Sequence, residues 1–428
     1  MPQDLTDELF EYLVDDPDRP GGLSEAAKAD EPGNFLRHVG SLSGSKIADG
    51  LIDPKLVLSW LLTTLGAGAF WTGLLVPVRE SLALLPQLFT TPAITAQPVR
   101  KWFWAGGSVV QGICAALIGV AGLTLQGGAA GAVIVGLLAV LALARSVCSA
   151  SYKDVLGKTV GTSRRGSATG AASTAASAAV ILFALLLMTG VGDRMTLVIA
   201  ALFLAGGFWI AAGALFATLK EQPTTGDAAK RIGWDQFALL RQDPQLVRFI
   251  VVRSLLVGTA LAPPYFILLT ESTALQSLGA LVLASAAASL LSSYVWGRLS
   301  DRSSRRVLLY AGLAGGAVLS LVAAMGWLGG IGAPFVLPGA LFALMISYHG
   351  VRQGRSTHLV DMAGEAERTP YTALSNTIVG VVLFVAGAVF AGVAALSVPL
   401  VIALFAVMCW AAAALAVGLD EVQQDAET

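Results

Sequence analysis

Ionisable and polar side chains lie within stretches of the chain that are otherwise apolar, and they are the first candidates for chemistry. Eight such residues form the candidate substrate path: Arg79, Glu80, Gln111, Arg145, Arg253, Glu271, Tyr348 and Asn376. A charged group inside an apolar helix must reach water, a counter-ion or backbone carbonyls, and such groups commonly mark substrate pathways. The planar guanidinium of arginine suits carboxylate and phosphate groups. The set therefore slightly favours an anionic or zwitterionic solute.

Each candidate also has a purely structural explanation. Arg79 and Glu80 could form an ion pair at the outer membrane interface, with the arginine head reaching water. Asn376 could form a hydrogen bond between helices. We expect Arg145 and Arg253 to face a cavity, because an unpaired arginine facing lipid is hard to accommodate. The first apolar stretch, 56–77, contains no carboxylate, which weakens the case for a proton-driven cation exporter.

The elements that position these residues are apolar stretches long enough to span a bilayer, which takes about 20 residues. They lie near residues 56–77, 80–97, 102–124, 129–150, 167–190, 195–218, 246–269, 275–296, 307–328, 333–351, 370–393 and 397–418. The chain is 55% hydrophobic and 13% charged, with a mean hydropathy of +0.73, whereas soluble domains contain about 25% charged residues. The pattern predicts an all-α integral membrane protein with twelve transmembrane helices.

Loop charges predict the orientation of the chain. Lysine and arginine are concentrated in the loops that follow the even-numbered spans, whereas Arg79 and Arg194 fall on the opposite side. Short basic loops remain in the cytoplasm, so both termini are predicted to be cytoplasmic, in a plasma (inner) membrane of the bacterial type. The polar first 50 residues show no signal peptide.

Two halves of the chain repeat the same landmarks. Asp53-Pro54 precedes the first predicted span and Asp243-Pro244 precedes the seventh, while Arg100-Lys101 and Arg305-Arg306 precede the third and the ninth. Proline is favoured in the first turn of a helix, and internal repeats are common in transporters. The predicted segments are a cytoplasmic tail with a short amphipathic helix (1–53), a six-helix bundle (54–218), a cytoplasmic linker (219–245), a second six-helix bundle (246–418) and a cytoplasmic tail (419–428).

The most specific motif is Gly297-Arg298-Leu299-Ser300-Asp301-Arg302-Ser303-Ser304-Arg305-Arg306, between the eighth and ninth spans. It resembles the signature loop of the major facilitator superfamily, and the resemblance covers about residues 54–418. It implies two six-helix bundles with pseudo-two-fold symmetry. It also implies a cytoplasmic gate formed by Gly297, Asp301, Arg302, Arg305 and Arg306. The corresponding loop of the first half, 96–101, contains neither glycine nor aspartate.

The resemblance carries two further expectations. Arg145 resembles the fourth-helix arginine that the superfamily associates with proton coupling. The fifth and eighth spans should meet between the halves, along the small residues Gly166, Gly170, Ser173 and Ser177 on one side and Ala280, Ala284, Ala288 and Ser292 on the other. Small residues let membrane helices approach closely.

Three functions remain open. The first is a secondary active transporter that moves a small solute by alternating access, with H⁺ or Na⁺ as a coupling ion. The second is a lipid or amphiphile translocator on the same fold, and the third is a membrane sensor or assembly partner that does not transport. The sequence contains no phosphate-binding Gly-Lys-Ser/Thr loop and no metal-ligand cluster. We therefore expect a monomeric non-enzyme with no cofactor, metal or nucleic-acid partner, surrounded by membrane lipids.

Overall fold

The structure, a computed structural model, describes residues 9–11, 14, 22–224, 237–269, 274–331, 333–363 and 368–423. These residues form helices and turns, with no strand among them. The helices of the first half are α1 (Glu25–Ile52), α2 (Val57–Thr64), α3 (Ala69–Leu84), α4 (Gln87–Thr95), α5 (Lys101–Thr124), α6 (Gly127–Thr159), α7 (Arg165–Met188) and α8 (Arg194–Ala217). Those of the second half are α9 (Leu239–Gln242), α10 (Pro244–Leu255), α11 (Gly258–Leu261), α12 (Pro263–Leu268), α13 (Ala274–Arg302), α14 (Ser304–Leu328), α15 (Val336–Met362), α16 (Arg368–Ala394) and α17 (Val398–Ala416).

Among the described residues, eight helical segments are long and apolar enough to cross a membrane. A ninth qualifies if the two parts of α13, bent by 41°, form one span. The chain is therefore an integral membrane protein. The remaining positions of a twelve-span arrangement would fall to α1 with α2, α3 with α4, and α15. Taken singly, α2, α3 and α4 are shorter than 18 residues, whereas α1 and α15 are long but contain several charged residues. The count of twelve stays a prediction.

The helices of the first two spans differ from those predicted at 56–77 and 80–97. α1 ends at Ile52, α2 covers Val57–Thr64, and the chain then reverses at Gly66 and Gly68, whose φ angles are 70° and 85°. Proline has no N–H and clashes with the preceding turn, so Pro54 interrupts a helix here instead of beginning one. The residues predicted as one span are therefore divided between the end of one span and the start of the next.

The segment before residue 54 is more than a tail with a short amphipathic helix. α1 is 28 residues long and packs against α7 and α8. Phe35 of this helix is fully buried. We propose that the first bundle begins near residue 25 instead of residue 54.

The two halves have matching helix contacts. α5 packs against α6 and α8 in the first half, as α14 packs against α15 and α17 in the second. Asp243 caps α10, its side chain accepting hydrogen bonds from the backbone N–H groups of Gln245 and Leu246. The Asp-Pro helix start predicted there is therefore confirmed. In the first half, Asn34 within α1 donates to the backbone oxygen of Lys220, which follows α8, at 3.0 Å.

The halves meet along two antiparallel helix pairs, α3 with α16 and α7 with α13. Small residues let the backbones approach: a Cβ added at Gly387 would lie 2.2 Å from Pro77, and one at Gly279 would lie 2.8 Å from the backbone oxygen of Ala184. Gly279 is near the start of α13 and Ala184 near the end of α7. The end of α13 therefore lies on the membrane face where α7 begins. This face carries Arg100, Arg164 and Arg305, and we call it the basic face.

The fifth and eighth predicted spans meet as expected, but the packed end uses residues outside the predicted stripe. The packed end uses Ala184, Leu187 and Met188 against Gly279. Nearer the basic face, Gly170, Ser173, Ser177 and Ser292 line a cavity instead. The helices diverge toward this face, so the small residues there border open space.

Close packing at Gly279 predicts the effect of a single added methyl group. We expect Gly279→Ala to lower the free energy of unfolding by about 1–3 kcal/mol, because its Cβ would overlap the backbone of α7. Thermal unfolding of the purified protein in detergent measures this change. Gly207→Ala is the control, since a Cβ at this exposed helical position meets nothing within 4 Å. Equal melting temperatures for the two variants would contradict the close approach of α7 and α13.

Candidate functional site

A charged cluster joins three helices of the first half. Asp49 of α1 forms ion pairs with Arg79 of α3 at 2.8 Å and with Arg145 of α6 at 2.6 Å. The side chains of Asp49, Arg79 and Arg145 are 24%, 13% and 29% exposed. Ser45, one turn before Asp49, accepts a second hydrogen bond from Arg145 at 3.3 Å. The carboxylate therefore balances two guanidinium groups inside the bundle.

Part of this cluster lies elsewhere than the sequence pattern predicted. Arg79 and Glu80 were considered as an ion pair at an outer turn, but both lie within α3, well beyond the turn at Gly66–Gly68. The expectation that the first span has no carboxylate was wrong, because the span includes Asp49 and reaches Asp53. Both errors follow from taking Asp53-Pro54 as a helix start. A helical spacing of Lys46, Asp49 and Asp53 was the signal that could have revealed this face of α1.

A second group of charges lies at the interruption between α1 and α2. The Lys55 ammonium lies 3.6 Å from the centre of the Tyr348 ring of α15, a cation–π contact between the two halves. Asp53 and Glu80 are close enough to interact electrostatically with Lys55. The Lys55 residue is 9% exposed. The candidate Tyr348 therefore lies at the contact between the halves.

Three other candidates lie within single bundles. Arg253 of α10 donates to Ser375 and Asn376 of α16, both at 2.8 Å, and is only 6% exposed. Gln111 of α5 donates to the backbone oxygen of Gly107 at 3.3 Å and to the Cys148 sulfur at 3.4 Å. These contacts join helices of one half. Glu271 lies outside the described residues.

A cavity of about 960 Å³ separates the halves between α7, α13 and α15. It is lined by Gly170, Ser173, Thr174, Ser177, Ala178, Ile181, Ser289, Leu290, Ser292, His349, Arg352, Gln353, Arg355 and Ser356. Within the part of the chain that the structure describes, the lining contains arginine, histidine and hydroxyl groups but no carboxylate. Packing at Gly279 closes α7 against α13 on the far side. The cavity therefore widens toward the basic face.

Lys46 adds a further positive charge beside this cavity. Its ammonium donates to Ser173 of the cavity wall and to the Thr169 backbone oxygen at 3.4 Å. Arg145 and Arg352 lie close enough to repel it electrostatically, and Asp49 attracts it. Arg145 itself contacts Asp49 and is not among the residues lining the cavity. Lys46 was not among the predicted site residues, because it lies in the segment that was predicted to be the cytoplasmic tail.

The gate motif lies at the basic face, at the junction of α13 and α14. Asp301, Arg302 and Arg306 are exposed, and a Cβ at Gly297 would meet nothing within 4 Å. Ser303 caps α14 by accepting a hydrogen bond from the Arg306 N–H at 3.1 Å. Across the described residues Asp301 has no ion-pair partner in this conformation.

Arg305 of the motif contacts the segment after α17. It forms an ion pair with Glu421 at 3.2 Å and donates to the Leu419 backbone oxygen at 3.3 Å. In the first half, Glu221 takes the same place after α8 and accepts hydrogen bonds from the Arg100 and Lys101 backbone N–H groups. Each half therefore uses the segment after its last helix to brace the start of its third predicted span.

Comparisons with known proteins support the architecture. The sequence matches no family model and no curated protein. A mutant of the nucleoside transporter NupG has a similar structure, with 14% identity over 91% of this chain and 100% of that chain, and a TM-score of 0.67. The D-xylose-proton symporter has 11% identity, coverage of 91% and 98%, and a TM-score of 0.66. A bacterial homologue of the human lysosomal transporter Spinster, in an inward-facing and occupied conformation, has 11% identity, coverage of 90% and 95%, and a TM-score of 0.59. The chain therefore has the major facilitator fold, which the motif predicted.

The charged cluster predicts an asymmetric response to mutation. We expect Asp49→Asn to lower the free energy of unfolding by about 1–3 kcal/mol, because it leaves Arg79 and Arg145 without their counter-charge in a mostly buried position. The exposed Asp301→Asn should leave the melting temperature unchanged. The double variant Asp49→Asn with Arg79→Gln should recover part of the loss. If Asp49→Asn and Asp301→Asn melt at the same temperature, the cluster contributes no stability.

Proposed function

We propose that this protein is a secondary active transporter that moves a small solute across the membrane by alternating access. The observation that carries the proposal is the polar cavity between two repeated halves, packed shut at the Gly279 end and wide at the basic face. Transporters built from repeats bind substrate between the repeats and expose it to each side in turn. The three solved structures described above, all of proteins called transporters or symporters, support the proposal through their fold.

The charge of the cavity supports an anionic or zwitterionic solute. Arg352 and Arg355 line it from α15, and Lys46 reaches its wall from α1. Serine and threonine hydroxyls provide further polar contacts. A polar lining of this kind fits a hydrated solute better than the acyl chain of an amphiphile, because apolar groups gain little from contact with it.

The basic face also indicates how the chain is oriented in the membrane. We propose that the basic face is cytoplasmic, since short loops rich in lysine and arginine are retained there, and that both termini lie on this side. The cavity would then be open to the cytoplasm in this conformation. Asp49, Asp53 and Glu80 are carboxylates inside the first bundle, and we propose that any coupling to H⁺ or Na⁺ involves these groups.

Cysteine labelling tests alternating access without knowledge of the solute. Cys114, Cys148 and Cys409 are buried and unpaired, and replacing them with alanine or serine would provide the background. We expect a membrane-impermeant maleimide to react with Ser177→Cys from the basic face, because Ser177 lines the cavity there. Thr189→Cys, exposed at the other end of the α7 region, should react from the opposite face. Labelling of Ser177→Cys from neither face, while Thr189→Cys reacts, would contradict an open cavity.

The gate motif predicts a shift in the same labelling. We propose that Asp301, exposed here, forms a charge-assisted contact when the basic face closes. Asp301→Asn should then favour the open conformation and increase the labelling of Ser177→Cys, without a change in melting temperature. Glu25→Gln, whose side chain is 89% exposed, is the matched control. Equal labelling in the Asp301→Asn and Glu25→Gln backgrounds would mean that the motif serves only to orient the chain.

A further inference from the structure

Two walls of the cavity are held in a fixed register by a single tryptophan. The indole N–H of Trp296 on α13 donates to the backbone oxygen of Ile346 on α15 at 2.9 Å. Gly350 packs against the same ring, where an added Cβ would lie 2.8 Å from it. Ser292 lies one turn before Trp296, and His349 lies one turn after Ile346. Both therefore lie within about one helical turn of this contact.

Two polar atoms on these walls are buried and have no hydrogen-bond partner. Ser292 is 2% exposed and lines the cavity, and its hydroxyl oxygen is unpaired. The Nε2 atom of His349, another lining residue, is also buried and unpaired. A buried polar group without a hydrogen-bond partner destabilises the protein. Such groups in a binding cavity are suited to a ligand that completes their hydrogen bonds.

Positive charges from both halves lie near His349, Lys55 in the first half and Arg352 in the second. Arg352 follows His349 by one turn on α15 and is close enough to interact electrostatically with it. Lys46, on α1 of the first half, also interacts electrostatically with Arg352. Because the two like charges belong to different halves, their repulsion opposes closure of the cavity. An anion placed between them would reverse this effect.

We propose that Ser292, His349 and Arg352, with Lys46 of the first half, form the binding site for the carboxylate or phosphate group of a small water-soluble solute. The inference rests on the transport function proposed above and specifies its solute. Arg352 provides forked donors to the anion, and Ser292 and His349 provide single hydrogen bonds. Lys46, in the other half, provides a second positive charge that draws the first half toward the bound solute. The hydroxyls of Ser173, Thr174 and Ser177 face the neutral part of the solute.

Ligand binding to the purified protein tests this site directly. The probes are glucose 6-phosphate, gluconate and inorganic phosphate as anions, glucose as a neutral control, and lysophosphatidic acid as a lipid that carries the same phosphate group. A ligand that binds only the folded state raises the melting temperature. We expect at least one of the water-soluble anions to stabilise the protein, and glucose to have no effect. Stabilisation by lysophosphatidic acid alone would overturn the assignment to a water-soluble solute.

Variants assign the binding to these residues. Arg352→Gln should weaken anion binding by roughly tenfold or more, the loss expected for a charged hydrogen bond, and Lys46→Gln and Ser292→Ala should also weaken it. Arg352→Lys should retain an intermediate affinity, because it keeps the charge and loses the fork. Lys153→Gln, an exposed basic position on α6, is the matched control. Unchanged affinity in Arg352→Gln, or an equal loss in Lys153→Gln, would overturn the site.

The experiments distinguish a loss of anion binding from misfolding and from an absence of transport. If Arg352→Gln does not fold, as judged by size-exclusion chromatography, then Lys46→Gln and Ser292→Ala decide the outcome. Anion binding that depends on Arg352, with Ser177→Cys labelled from neither face, would keep the site and reject the proposed transport. Labelling of Ser177→Cys from the basic face without binding of any anion would keep the transport proposal and reject the site.

Discussion

A carboxylate or guanidinium group inside a membrane protein is stable only when neighbouring charges and polar groups replace the water it has lost. In this protein that condition is met by Asp49, which balances Arg79 and Arg145 from two other helices. The three helices cannot separate without exposing an unpaired charge. The same requirement explains why α1 and α15, which are long enough to span a membrane, contain several charged residues. They surround the region between the halves, where polar groups find partners or water.

Packing and electrostatics act at different ends of the molecule. At the far end, Gly279 and Gly387 let helices of opposite halves touch through their backbones, with no charge involved. At the basic face, Glu221 and Glu421 brace the starts of α5 and α14 through polar contacts that lie within single halves. Each bundle is thus internally braced where the cavity is wide. The two bundles contact each other most closely where it is shut.

Sequence reasoning identified the fold class and most helices, because long apolar runs and basic loops depend only on local composition. It failed at the first two spans for a physical reason. Asp-Pro begins a helix at Asp243-Pro244, but the same pair interrupts one at Asp53-Pro54, and only tertiary packing distinguishes the two cases. Lys46, Asp49 and Lys55 were therefore missed. The predicted residues Arg79 and Arg145 contact Asp49, and Tyr348 contacts Lys55. Gln111 and Asn376 form hydrogen bonds within their own bundles. The sequence could not predict this, because it does not reveal which neighbour a polar side chain will meet.

The first spanning path of each half is broken, into α1 and the short α2 in the first half and into α10, α11 and α12 in the second. A continuous helix transmits bending along its whole length, whereas a broken one lets each piece tilt separately. The eight residues of α2 span about 12 Å, so under the transport cycle proposed above this piece would tilt while Asp49 holds α1 in place. Under that proposal, closing one end of the cavity need not be simultaneous with opening the other. The protein would then pass through a state sealed at both ends, which limits the leak of ions and water during each cycle.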